Sequence, residues 1–113
     1  GPNRRALYLP DIDKWQKWNQ DLVAILKTVD IALLDATFFS GDELPGRDIN
    51  LIPHPTVLES MALLKSLPRS VRSRVVFTHM NHTNPLLDPS SKETQSVLAL
   101  GFRVARIGNR FDL

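Results

Sequence analysis

The run Ile31-Ala-Leu-Leu-Asp-Ala-Thr-Phe-Phe39 constrains the fold more than any other part of the chain. It is apolar at odd and even positions alike, so a strand built from it has no face suited to water. Such strands belong in covered sheets, mostly parallel ones, whose neighbouring strands must be joined by long crossovers, usually helices. The flanking sequence supplies both parts. Arg5 to Leu9 is a short apolar run stopped by Pro10, and Arg74 to His79 is another. Between the first two strands, Trp15, Trp18, Leu22, Ile25, Leu26 and Val29 recur at helical spacing, which predicts a helix over Asp13 to Val29 capped by Asp11 or Asp13. Pro55 suits a first helical position, with His54 as cap and Val57, Leu58, Met61 and Leu64 facing inward to about Ser66. Ser90 with Glu93 reads as a capping box, opening a helix that Gly101 ends. Phe102 to Arg106 and Arg110 to Leu113 flank Ile107-Gly-Asn109 as a hairpin. The expected order is β-α-β-loop-α-β-α-β-β, an α/β layer architecture. The loop is Ser40 to Pro53, long enough to suggest a functional role.

Composition narrows the function. The chain of 113 residues suffices for one domain and not for two. Its net charge of +2 is a small excess without a dense basic stripe, so nucleic acid is not indicated. The absence of cysteine excludes disulfides and thiolate zinc sites, leaving His, Asp and Glu as the only metal ligands. No apolar run approaches the length of a membrane span and no signal peptide opens the chain, so a cytoplasmic protein without a membrane partner is expected. Gly1-Pro2 opens the chain without methionine and is given no functional weight.

The residues able to carry chemistry stand just past strand ends: Asp11 after the first strand, His79 at the end of the third, and His54 where the long loop meets a helix. In an α/β sheet the ends of neighbouring strands converge, so these positions can meet. A carboxylate can bridge two cations and an imidazole gives one good nitrogen donor. Each residue also has a plainer explanation. Asp11 and His54 could cap helices, and His79 could be a satisfied polar group at the sheet edge. Trp15 and Trp18 fit the core, and Asp13, Asp30 and Asp42 fit solvated turns. Phe38 and Phe39 would point to opposite faces of the second strand.

Order and wording add to this. Tyr8-Leu-Pro-Asp11, Leu34-Asp-Ala-Thr-Phe38, Pro53-His54-Pro55 and Val76-Phe-Thr-His79 together resemble the second half of metallo-β-lactamase-fold hydrolases. The resemblance implies a metal-bridging carboxylate in Asp11 and a last metal ligand in His79. Leu34 to Phe38 resembles the Glu-Ala-Thr box of the ribonuclease Z branch, with Asp35 in place of Glu. His54 resembles the histidine of that branch's His-Ser-Thr box and the general-acid histidine of related phosphodiesterases, although Pro55 stands where the box has Ser. Asn81 to Pro85 is similar to a turn of the pyrroloquinoline-quinone biosynthesis protein B group. That group's first strand ends without the bridging Asp, which Asp11 supplies here. The difference points to a metal-competent relative of the group rather than a member.

The resemblance implies that residues 1–113 are the C-terminal half of an αββα sandwich. The family's His-x-His-x-Asp-His run is absent, and three histidines could not supply it. The implied whole is a hydrolase with two divalent ions, zinc or else manganese or iron, acting on a phosphodiester or cyclic ester. His54 and Asp35 would be its catalytic groups, and Asp11 and His79 its metal ligands. Alone, the chain should hold metal weakly or not at all and lack activity. Strands apolar on both faces imply cover by its own N-terminal half or by a second copy. The rival expectation is a non-catalytic binding or scaffolding module, with Arg47 and the Ser40 to Pro53 loop meeting a partner. His82 stands beside the site without an assigned role.

Overall fold

The computed structural model describes residues 1–113. Four strands form one sheet: β1 (Ala6–Leu9), β2 (Ile31–Asp35), β3 (Val75–Thr78) and β4 (Arg103–Val104). They lie side by side in chain order and every pair is parallel. Each connection therefore steps one strand in the same direction, and the shared handedness of such crossovers sends every helix to the same face. The four helices are α1 (Leu22–Leu26), α2 (Val57–Leu64), α3 (Arg69–Arg72) and α4 (Lys92–Ala99). The core confirms this one-sided arrangement. Ala32, Leu34, Val75 and Phe77, all from one face of the sheet, pack with Leu26, Val57, Met61, Leu64, Val71 and Val97 from the helices.

The other face carries Ala6, Tyr8, Ile31, Leu33 and Val76, aligned by the register Tyr8↔Leu33↔Val76. Tyr8 is 64% exposed there, whereas Ile31 and Val76 are buried. The bare apolar surface is thus confined to the β1 side. Beyond β4 the chain turns at Gly108 (φ 88°), where the Asn109 amide donates to the Arg106 carbonyl. It then returns across the sheet, Phe111 lies under the Arg103 guanidinium, and the Leu113 carbonyl accepts from the Asn3 and Arg4 amides. The expected hairpin does not form. The turn is local and real, but the segment after it pairs with the N-terminal segment instead of with β4.

Three helix expectations are corrected. The helix expected over Asp13 to Val29 is a 3₁₀ turn (Trp15–Lys17) followed by α1. Asp21 restarts the chain by accepting from the Ala24 amide, a cap set inside the apolar pattern. His54 does not cap α2. Thr56 does, in a reciprocal capping box with Glu59, and Leu58 is exposed rather than buried. In α4 the cap is Ser91, because the Asp88 carboxylate already holds Ser90 through its amide and hydroxyl. β2 also ends at Asp35, four residues before the expected Phe39. Gly101 does end α4, with φ 89°.

Two contacts pin the segment after β1 onto α2. Lys14, 7% exposed, pairs with Glu59 at 2.9 Å, and the Trp15 indole donates to the buried Ser60 hydroxyl at 2.8 Å. These bonds carry Asp11 to the mouth of the sheet beside His54.

Candidate metal centre

β1, β2 and β3 all end on the same edge of the parallel sheet, and the candidate residues follow those ends. Asp35 closes β2 and is fully buried. A buried carboxylate is tolerated only when its oxygens are satisfied, and Asp35 accepts from four donors. Oδ1 takes the Thr37 amide and the Thr37 hydroxyl, each at 2.8 Å. Oδ2 takes the Ile12 amide at 3.1 Å and pairs with His54 Nδ1 at 2.8 Å. Asp35 therefore ties the end of β1, the turn after β2 and the end of the long loop to one point.

Asp11 brings a second carboxylate to the same histidine. Its Oδ1 lies 3.6 Å from His54 Nδ1, and its side chain is 71% exposed, leaving its oxygens open to a ligand. His79 follows β3 in the left-handed region at φ 63°, sparsely populated for a non-glycine residue and frequent at functional sites. That turn brings its Nδ1 within 3.0 Å of the Thr37 hydroxyl, which is 3.3 Å from His54 Nδ1. The two imidazoles stand 6.4 Å apart, with the Phe38 ring edge-on to His54. Around them Asn84 donates to the Ala36 carbonyl at 2.6 Å and the Asn81 amide to the Thr37 carbonyl at 2.9 Å. Glu43 joins the same loops, accepting from the Phe39 amide and the Thr83 hydroxyl. The turns after β2 and β3 are thus a single braced unit.

All four candidate residues, Asp11, Asp35, His54 and His79, meet at this edge. Ligand atoms of Asp11, Asp35 and His54 lie within 4.8 Å of one another. His79 joins the cluster through Thr37. Carboxylate and imidazole donors suit zinc, manganese or iron. Asp35 and His54 Nδ1 are engaged with each other, so the open donors are Asp11 and His79 Nε2, fewer than the three protein ligands a catalytic zinc requires. The donor set fits a divalent cation. It also divides by availability: the Asp35 oxygens are each used twice, whereas Asp11 is free. Sequence reasoning missed Thr37 as the residue between the two histidines. The only signal was its place in Leu34-Asp-Ala-Thr-Phe38. His82 is exposed and outside the cluster, and Arg47 lines a shallow cavity with Leu51 and Pro53. The turn residues behave as such: the Lys14 amide, with Lys17 nearby, holds the Asp13 carboxyl below its usual value, and Asp30 accepts from the Arg5 amide.

A single parallel sheet with helices on one face and a carboxylate–histidine cluster at its strand ends corresponds to half of a metallo-β-lactamase-type sandwich. No family model matches the sequence, but individual proteins do. The chain is related to coenzyme PQQ synthesis protein B, PqqB: it is 31% identical to that of Pseudomonas putida KT2440 over 84% of its length. It is 29% identical to that of Cupriavidus necator over 97%. The crystal structure of Zn(2+)-bound PqqB from Methylobacterium extorquens superimposes on 97% of the chain with a TM-score of 0.75 and 28% identity. The chain spans about a third of the length of these curated relatives and 40% of the solved one. The PqqB of Methylobacterium extorquens is thus itself a zinc-binding protein.

Proposed function

We infer that this chain supplies part of a metal-dependent hydrolytic centre acting on a phosphodiester or cyclic ester. The observation that carries the reading is the meeting of Asp11, Asp35, His54 and His79 at the ends of three adjacent parallel strands. Asp11 and His79 would hold the metal, with further ligands outside this chain. Such a cation, when bound, activates water and polarises the scissile group. His54 has Nδ1 committed to Asp35, so Nε2 is left to give a proton to the leaving oxygen, and the buried carboxylate stabilises the imidazolium before that transfer. Phe38 against the ring limits its rotation.

The reading predicts chelator-sensitive hydrolysis of bis(p-nitrophenyl) phosphate by the protein that contains this chain. His54→Gln should lower kcat by about 10²–10⁴-fold, the range for losing a general acid. Unchanged activity in His54→Gln, or indifference to chelation, would contradict it. The likeness to PqqB over most of the chain favours a second reading, a role in the synthesis of that quinone coenzyme. Restoration of coenzyme production in a bacterium lacking its own PqqB would support it, and failure by a stably expressed protein would oppose it.

A further inference from the structure

We propose that Thr37 is a positioning residue that fixes the tautomer of His79, passing to it the acceptor character of the buried Asp35 so that His79 offers Nε2 as its free lone pair. Proton accounting carries the argument. A threonine hydroxyl has one proton to give and two lone pairs to receive with. Asp35 Oδ1 already accepts the Thr37 amide, which can only donate, and lies 2.8 Å from the Thr37 hydroxyl. The carboxylate accepts there too, so the hydroxyl proton points at Asp35. Only lone pairs remain to face His79 Nδ1 at 3.0 Å, and that nitrogen must therefore carry the proton.

His54 is set differently. Its Nδ1 meets Asp35 Oδ2 directly at 2.8 Å, with Thr37 a longer contact at 3.3 Å. One buried carboxylate thus orients both rings, His54 at first hand and His79 through Thr37. Orientation of an imidazole by a hydrogen bond to its other nitrogen is the usual support of a histidine ligand. Here the supporting carboxylate belongs to the proton-donating pair, so ligand and acid share one anchor. The left-handed backbone of His79 is what brings its Nδ1 back toward Thr37. Nε2 of neither ring makes a hydrogen bond within the protein.

The consequence for a bound cation rests on the metal-centre reading above; the tautomer assignment does not. The test is long-range ¹H–¹⁵N correlation of the histidine side chains in the 113-residue chain without metal. Three proteins are compared: wild type, Thr37→Val, which removes the hydroxyl while keeping a β-branched side chain of similar volume, and Thr37→Ser, which keeps the hydroxyl. The wild type should show Nδ1–H for His54 and His79. Thr37→Val should lose the Nδ1–H signature of His79 and retain that of His54, which also reports that the site is folded. Thr37→Ser should restore His79. Nε2–H at His79 in the wild type, or an unchanged His79 in Thr37→Val, would overturn the proposal. Should Thr37→Val not fold, the wild-type tautomer and the Thr37→Ser comparison decide it. Zinc is then added to the longer protein that contains this chain and the remaining ligands. If it leaves both rings unmoved there while the tautomers are as expected, the metal-centre reading fails and the Thr37 assignment stands.

Discussion

Replacing Asp35 by Asn exchanges one carboxylate oxygen for an NH₂ group and removes the charge, and it should destabilise the protein by about 2–3 kcal/mol. Each Asp35 oxygen accepts one backbone amide, Thr37 on Oδ1 and Ile12 on Oδ2, and these groups can only donate. However the new carboxamide turns, its NH₂ faces one of them. His54 and the Thr37 hydroxyl can reverse their roles to meet the NH₂, but the backbone amide cannot. One partly buried N–H is left without an acceptor, at a cost of about 1–3 kcal/mol, and the charge-assisted component of the other bonds is lost as well. With a urea dependence of about 1–3 kcal/mol per molar for a domain of this size, the unfolding midpoint should fall by roughly 0.7–3 M. Asp30→Asn is the control, since Asp30 accepts a single exposed amide from Arg5 and should stay within about 0.5 kcal/mol of wild type. Equal midpoints for the two variants would show that Asp35 is not the anchor of the strand ends.

Trp15→Phe removes the donor to the buried Ser60 hydroxyl and part of a buried ring, so a loss of about 2 kcal/mol in the same assay is expected; a neutral result would mean that α2 does not hold the segment after β1. Gly101→Ala places a Cβ at φ 89° and 3.0 Å from the Arg69 Cγ, which should cost about 1–2 kcal/mol, and an unchanged midpoint would refute the strained cap. The Asp88 carboxyl is held below its usual value by the Ser90 hydroxyl and amide. A lowered carboxyl stabilises the fold above the unfolded-state value and loses that contribution as pH falls through the folded one. Carboxyl ¹³C titration should therefore place Asp88 below 3.8, and Ser90→Ala should return it toward that value.

Much of this fold was legible because strands apolar on both faces leave an unmistakable record in the sequence. β1, β2 and β3 follow from Leu7, Ile31 to Leu34 and Val75 to Phe77 without any knowledge of their partners. The helices were less legible, because apolar spacing does not reveal a cap that interrupts it. Trp15 and Leu26 both face the core, and the break between them is made by the Asp21 carboxylate. The C-terminal turn misled for a related reason: Gly108 and Asn109 specify a reversal of the chain but not what it pairs with afterwards. Site residues could be named because parallel strands deliver their C-terminal ends to one edge. Their connections could not. Nothing in the sequence tells that Thr37 lies within hydrogen-bond reach of two histidines, one 17 and the other 42 positions away.

The central claim is that this edge of the sheet is one part of a metal centre, with Asp11 and His79 as its ligands. Zinc titration of the ¹⁵N-labelled chain, read at the histidine side chains, tests it most directly. His79 should respond at Nε2 with weak affinity, Asp11→Asn should abolish that response, and the exposed His82 should stay unmoved as an internal control. Zinc that perturbs His82 in preference to His79, or binding indifferent to Asp11→Asn, would contradict the claim.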